Sequence, residues 1–156
     1  MTDLKTCFED LGFDDVRTFL QTGNVTFSAA QSGKTLIPQI EAALSERFHY
    51  TAYVQIYPLK MLQQIIADYP FAADEQYHRY VAFVADAAVI AQISNEAAQC
   101  EWVDEEIKAA PTVIYWRVPK GKTIDSTFGK ISAKPAYKKS LTTRNLNTLQ
   151  KMAAAS

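Results

Sequence analysis

The order in which hydrophobic periodicity switches between helix and strand constrains this chain more than any motif in it. Leu4, Phe8 and Leu11 share a helical face, Thr2 or Asp3 is placed to cap it, and Gly12 stands where a glycine ends a helix. VRTFLQTGNVTFS follows as two extended runs joined through Gly23-Asn24, a hairpin signal because glycine supplies the positive φ of a type II′ turn. That turn sets Thr22 opposite Val25 and Leu20 opposite Phe27, so Val16, Thr18, Leu20, Val25 and Phe27 line the core side. Leu36, Ile40, Ala43, Leu44 and Phe48 then recur at helical spacing, AYVQIYP reads as a strand stopped by Pro58, and a short helix runs from Leu59 to Ala67.

Tyr69 to Asp74 breaks the pattern, and the order then repeats. YHRYVAFVA is a strand, Ala87 to Ala98 a helix, EWVDEEI the neighbourhood of a strand, TVIYWRV a strand, and KTIDSTFGKIS contains a helix. A short last strand is expected around Ala136 to Lys139. The first half reads α-β-β-α-β and the second β-α-β-β-α. Both fit an α+β fold of two ferredoxin-like, split βαβ subdomains, 1–70 and 71–156, the second carrying the terminal helix and the first lacking its opening strand. In this plan that strand is interior to the sheet, so its loss leaves an edge that invites strand addition or a homodimer.

The net charge of -1 hides a split. Residues 1–116 hold 7 Lys/Arg against 16 Asp/Glu, and residues 117–156 hold 9 against one, a balance of -9 followed by +8. Either the basic end binds an anionic partner, or it folds back on the acidic body, or its lysines are simply solvated. Cys7 and Cys100 are too far apart in sequence for a metal knuckle and too few for a disulfide scaffold, so both are expected as reduced, buried thiols. MTDLKTCFED is acidic and amphipathic, unlike a signal peptide, and no stretch reaches the length of a membrane span. A cytoplasmic protein without a membrane partner is expected.

Motifs that carry chemistry are weak throughout. SAAQSGKT, residues 28–35, ends like a phosphate-binding loop, but Ser28 stands where the first glycine is needed and the preceding strand belongs to a hairpin, so Lys34 is expected to face solvent. YVAFVAD ends at Asp86 as a strand followed by a helix cap. His49 and His78 share no metal-ligand spacing, and no metal or cofactor is expected. Asp104 to Glu106 is a charge run between apolar residues, the pattern of a solvated strand or turn, and no nucleophile elbow or triad assembles. Tyr80 and Phe83 lack the basic and glycine positions of an RNA-binding sheet and read as core.

The C-terminal SLTTRNLNTLQKM is the most informative stretch. Leu146, Leu149, Met152 and Ala153 make an apolar stripe, and Thr142 or Thr143 is expected as the N-cap of that last helix. Lys138, Lys139 and Arg144 flank the helix start, so Lys138, Lys139, Thr142, Thr143, Arg144 and Asn145 form a candidate anion site.

GFDDVRTFLQTGNVTF, YPFAADEQYHRYVAFVAD, TVIYWRVPKGK and TTRNLNTLQKM, in that order, resemble the bacterial domain-of-unknown-function family numbered 1697. The resemblance covers nearly the whole chain and implies a pair of ferredoxin-like subdomains without an established activity. It also implies an opening strand and polar segment of the form L-L-R-G-I-N-V-G-G, to which nothing here corresponds. The expected function is a binding module for an anion, nucleotide or nucleic acid through the basic C-terminal segment. The alternatives are an enzyme whose site needs the absent loop and a self-associating interaction domain.

Overall fold

The computed structural model describes residues 2–19, 23–31, 33–102, 104–137 and 139–155. Among these the fold is mixed α/β, with two sheets and six helices in the order α1 (Thr2–Asp10), β1 (Asp14–Phe19), β2 (Asn24–Ser28), α2 (Gly33–Phe48), α3 (Leu59–Ala67), β3 (Tyr77–Val84), α4 (Ala87–Ala98), β4 (Glu106–Ala109), β5 (Val113–Pro119), α5 (Thr127–Ser132), β6 (Leu141–Asn145) and α6 (Leu146–Ala155). Contacts divide the chain into Met1–Gln64 with Gln150–Ser156, and Ile65–Leu149. The first unit thus closes at Gln64 and takes in the last residues of the chain.

In the first unit α1 ends as its glycine requires, with Gly12 at φ 88° and its N–H donating to the Glu9 carbonyl at 2.9 Å. β1 and β2 pair antiparallel, but Val25 lies opposite Thr18 and Asn24 is a strand residue opposite Phe19, so the expected two-residue turn through Gly23-Asn24 is not formed. Leu20 and Thr22, on which the expected register also rested, lie outside the described residues. Cys7, Phe8, Phe13, Val16, Leu36, Ile40, Leu44 and Ala52 form the core here. The rings of Phe13 and Phe27 stack at 4.7 Å within it.

AYVQIYP is not a ladder strand, since residues 51–58 form neither strand nor bridge. Its buried backbone is held by helix side chains instead. The Ala52 N–H donates to Ser45 Oγ and the Val54 N–H to Glu41 Oε2, each at 2.9 Å. SAAQSGKT joins β2 of the two-stranded hairpin to α2, Lys34 is exposed, and Ser32 lies outside the described residues.

The second unit has a four-stranded antiparallel sheet in the order β4-β5-β3-β6. The expected last strand at 136–139 is displaced to 141–145, because LTTRN alternates its side chains between two faces beside β3 while 135–137, 139 and 140 are turns. One sheet face carries Ala82, Val84, Ile114, Trp116 and Val118 and packs against Ile90 and Ile93 of α4 and Phe128 and Ile131 of α5. Asp86 caps α4, accepting from the Ala88 N–H at 2.9 Å. Ser126 caps α5. The turn before α5 passes so close that a Cβ at Gly129 would sit 2.0 Å from the Thr123 carbonyl oxygen, which admits glycine alone.

The opposite face carries Val81, Phe83, Val113 and Tyr115, all buried. It is covered by the end of α3 and the segment after it, where the Tyr115 hydroxyl donates to the Ile65 carbonyl at 2.9 Å and the Tyr69 hydroxyl to the Trp116 carbonyl at 2.7 Å. Tyr80 and Phe83 therefore face opposite sides, Tyr80 against Trp116 and Phe83 in the core, and form no common stacking platform. Cys7 is buried as expected, and burial raises its thiol pKa. Cys100 is exposed, because it falls in the turn after α4 and not on the helix's apolar face.

Candidate functional site

Strand direction builds the site. β5 and β6 both run antiparallel to β3, so their C-terminal ends meet the start of β3 at one end of the sheet, with Tyr77 opposite Pro119 and Tyr80 opposite Asn145. Around that end lies a groove of about 380 Å³ lined by Asp74, Glu75, Tyr77, His78, Arg79, Lys120, Asn145 and Asn147 together with Ala73. The turn that enters β3 is closed by the Tyr77 N–H on the Asp74 carbonyl at 3.1 Å, and the Asp74 carboxylate accepts from the Gln76 N–H at 2.8 Å. The Lys120 N–H donates to the Gln76 carbonyl at 2.9 Å, which ties the end of β5 to the same turn.

The last helix starts later than expected. Thr142 and Thr143 are strand residues opposite Phe83 and Ala82, and Asn145 is the cap, its Oδ1 accepting from the Asn147 N–H at 2.9 Å. This corrects the Thr142 or Thr143 cap. A threonine in a ladder has its backbone committed to the neighbouring strand, and only the residue that leaves the ladder is free to turn into a helix.

The strand also separates the candidate anion residues. Thr143 and Asn145 share the face of Ala82 and Tyr80, while Thr142 and Arg144 share that of Phe83 and Val81. Arg144 is half-buried, donates to the Thr143 carbonyl at 2.9 Å, and has its pKa lowered by burial. Lys139 is exposed, and Lys138 lies outside the described residues. Of the five that are described, Asn145 alone lines the groove. Tyr77, His78, Arg79, Lys120 and Asn147 were missed as site residues, although the strand order of a β-α-β-β-α-β unit is the signal that brings their positions together.

Arg79 and Arg117 are directly opposed across β3 and β5, an arrangement that repels unless each has its own partner. Arg79 lies 5.8 Å from the Tyr69 ring centroid, and Arg117 lies 4.3 Å from that of Tyr77 while pairing with Glu106 at 3.2 Å. The three acids of Asp104 to Glu106 also separate. Asp104 is exposed at φ 57°, Glu106 pairs with Arg117, and Glu105 is buried, contrary to the solvated reading. Its carboxylate accepts from Trp116 Nε1 at 2.7 Å and from the N–H groups of Thr127 at 2.9 Å and Phe128 at 3.0 Å, so every donor aimed at it is satisfied in a structural bond.

No curated protein matches the chain. Among solved structures it is similar to the conserved bacterial protein SP0830 from Streptococcus pneumoniae, with a TM-score of 0.81 and 18% identity over 99% of this chain and 87% of that one. At that identity the likeness concerns the fold alone. The chain belongs to the family described as Protein of unknown function (DUF1697), which matches it over residues 1–115.

Proposed function

We propose that the protein is a binding module that takes a small anionic ligand in the groove at the start of β3. One observation carries this: Arg79, Lys120, His78 and the amides of Asn145 and Asn147 line a single groove at the N-terminus of α6. A helix start and its dipole favour negative charge, and here they coincide with two cations and a concavity of small-molecule size. The anion reading of the C-terminal segment is thereby kept with a different set of cations.

The second unit follows the ferredoxin-like plan in this reading, since β3-α4-β4-β5-α5-β6 with the order β4-β5-β3-β6 has the split βαβ connectivity. The first unit fits the same plan short of an interior strand. That accounts for residues 51–58 being extended yet held by Ser45 and Glu41 in place of a ladder.

The test is a titration with inorganic phosphate, a nucleoside monophosphate and a short oligonucleotide at rising salt. Affinity is expected to fall as salt rises, with a log–log slope for the oligonucleotide set by the phosphates neutralised. Arg79→Ala and Lys120→Ala should each weaken binding about tenfold, the loss of roughly 1.4 kcal/mol. If Lys139→Ala and Arg144→Ala weaken it and the groove variants do not, the site lies on the segment around β6; if no probe binds, the module is not an anion binder.

A further inference from the structure

Two acids share the groove with the two bases. Asp74 and Glu75 line it together with Arg79 and Lys120, yet none of the four makes an ion pair among the described residues, where the pairs are Arg47 with Asp3 and Asp10, Arg117 with Glu106, and Lys134 with Glu96. Asp74, Glu75 and Lys120 are exposed, and an exposed pair contributes only about 0–1 kcal/mol, so these charges can turn to a ligand without giving up a strong partner. The Asp74 carboxylate accepts from the Gln76 N–H at 2.8 Å, the Lys120 backbone N–H donates to the Gln76 carbonyl beside it, and Arg79 lies 5.8 Å from the Tyr69 ring centroid.

We infer that the ligand of this groove is a zwitterion of amino-acid or dipeptide size. The inference rests on the anion reading above and adds a cationic group to the ligand. Its carboxylate lies toward Arg79 and the start of α6, and its ammonium toward Asp74 and Glu75 in the turn before β3. A simple anion leaves the acidic end of the groove unanswered and is repelled by it. A ligand with both charges satisfies both ends, and about 380 Å³ accommodates a molecule larger than a single inorganic ion. Tyr77 and His78, between the two ends in sequence, supply ring surface for what joins the charged groups.

The experiment compares glycylglycine, N-acetyl-glycylglycine and glycylglycine amide by calorimetry at low salt, with inorganic phosphate as the plain anion. Glycylglycine is expected to bind at least tenfold more tightly than either capped form. Asp74→Asn with Glu75→Gln should bring glycylglycine down to the level of the acetylated form and leave that form unweakened. Asparagine keeps an Oδ1 acceptor for the Gln76 N–H, so the turn is retained. If the acetylated dipeptide binds as well as the free one, the zwitterion inference fails and the anion reading stands. If the amide binds as well as the free dipeptide, or if neither phosphate nor any dipeptide binds, both fail.

Discussion

Glu105 shows how a single residue escapes a reading based on its neighbours. In DEE it is one acid of three, but the carboxylate is buried and collects the Trp116 indole N–H and the first two N–H groups of α5. Each donor stranded without an acceptor costs about 1–3 kcal/mol. Glu105→Ala is therefore expected to lower the unfolding free energy by about 3 kcal/mol or more, and Glu105→Gln by less, because one carbonyl oxygen survives. Urea denaturation followed by Trp116 fluorescence measures both. A parent-like midpoint for Glu105→Ala would mean that the carboxylate does not hold β4 to α5.

At the scale of elements, the passage from β6 into α6 decides how the C-terminal stretch is read. Asn145 leaves the ladder and caps, whereas Thr142 and Thr143 stay in it. Asn145→Ala should cost about 1 kcal/mol, the usual value of a lost cap, and Thr142→Ala or Thr143→Ala should cost no cap at all. Thermal melts of the three variants separate these outcomes, and a loss confined to Thr142→Ala or Thr143→Ala would restore the earlier helix start. The helices around Ile40, Ile90 and Leu149, and β3 and β5, were legible because their apolar spacing is strong and local. The hairpin register and the segment at 51–58 were not. Register depends on which backbone groups face each other across a loop, and a strand-like sequence becomes a strand only if a neighbour pairs with it.

For the whole molecule, folding redistributes charge. The halves that carry -9 and +8 along the sequence become units of nearly balanced composition, ten Lys/Arg with ten Asp/Glu in Ile65–Leu149 and six with seven in the remainder, together the 16 and 17 of the chain. Lys134 with Glu96 and Arg117 with Glu106 join the basic stretch to the acidic one. Among the described residues no helix is long and apolar enough to cross a membrane. The tyrosines set the alkaline limit of stability. Burial pushes the Tyr57 hydroxyl up to about 12 and raises those of Tyr69 and Tyr115 from 10.0 as well. A hydroxyl that stays neutral in the fold but ionises at its ordinary value when unfolded contributes stability that is complete below pH 10 and is lost as pH rises through the folded values. Denaturant midpoints are thus expected to hold below pH 10 and to fall steadily above it, more gently in Tyr69→Phe measured against its own value at neutral pH. A flat profile from pH 9 to 12 would contradict this.

By itself the amino-acid sequence determined the succession of helices and strands outside 51–58 and 136–145, the family, the exposure of Lys34 and the cap at Asp86, since each of these follows from spacing within a few residues. Tertiary structure alone decided that Glu105 is buried, that Arg144 and Asn145 face opposite sides, and that Arg79, Lys120 and Asn147 line one groove. Those outcomes depend on antiparallel pairing, which brings strand ends from distant parts of the chain together and assigns each side chain to a face by register; neither quantity is carried by local periodicity.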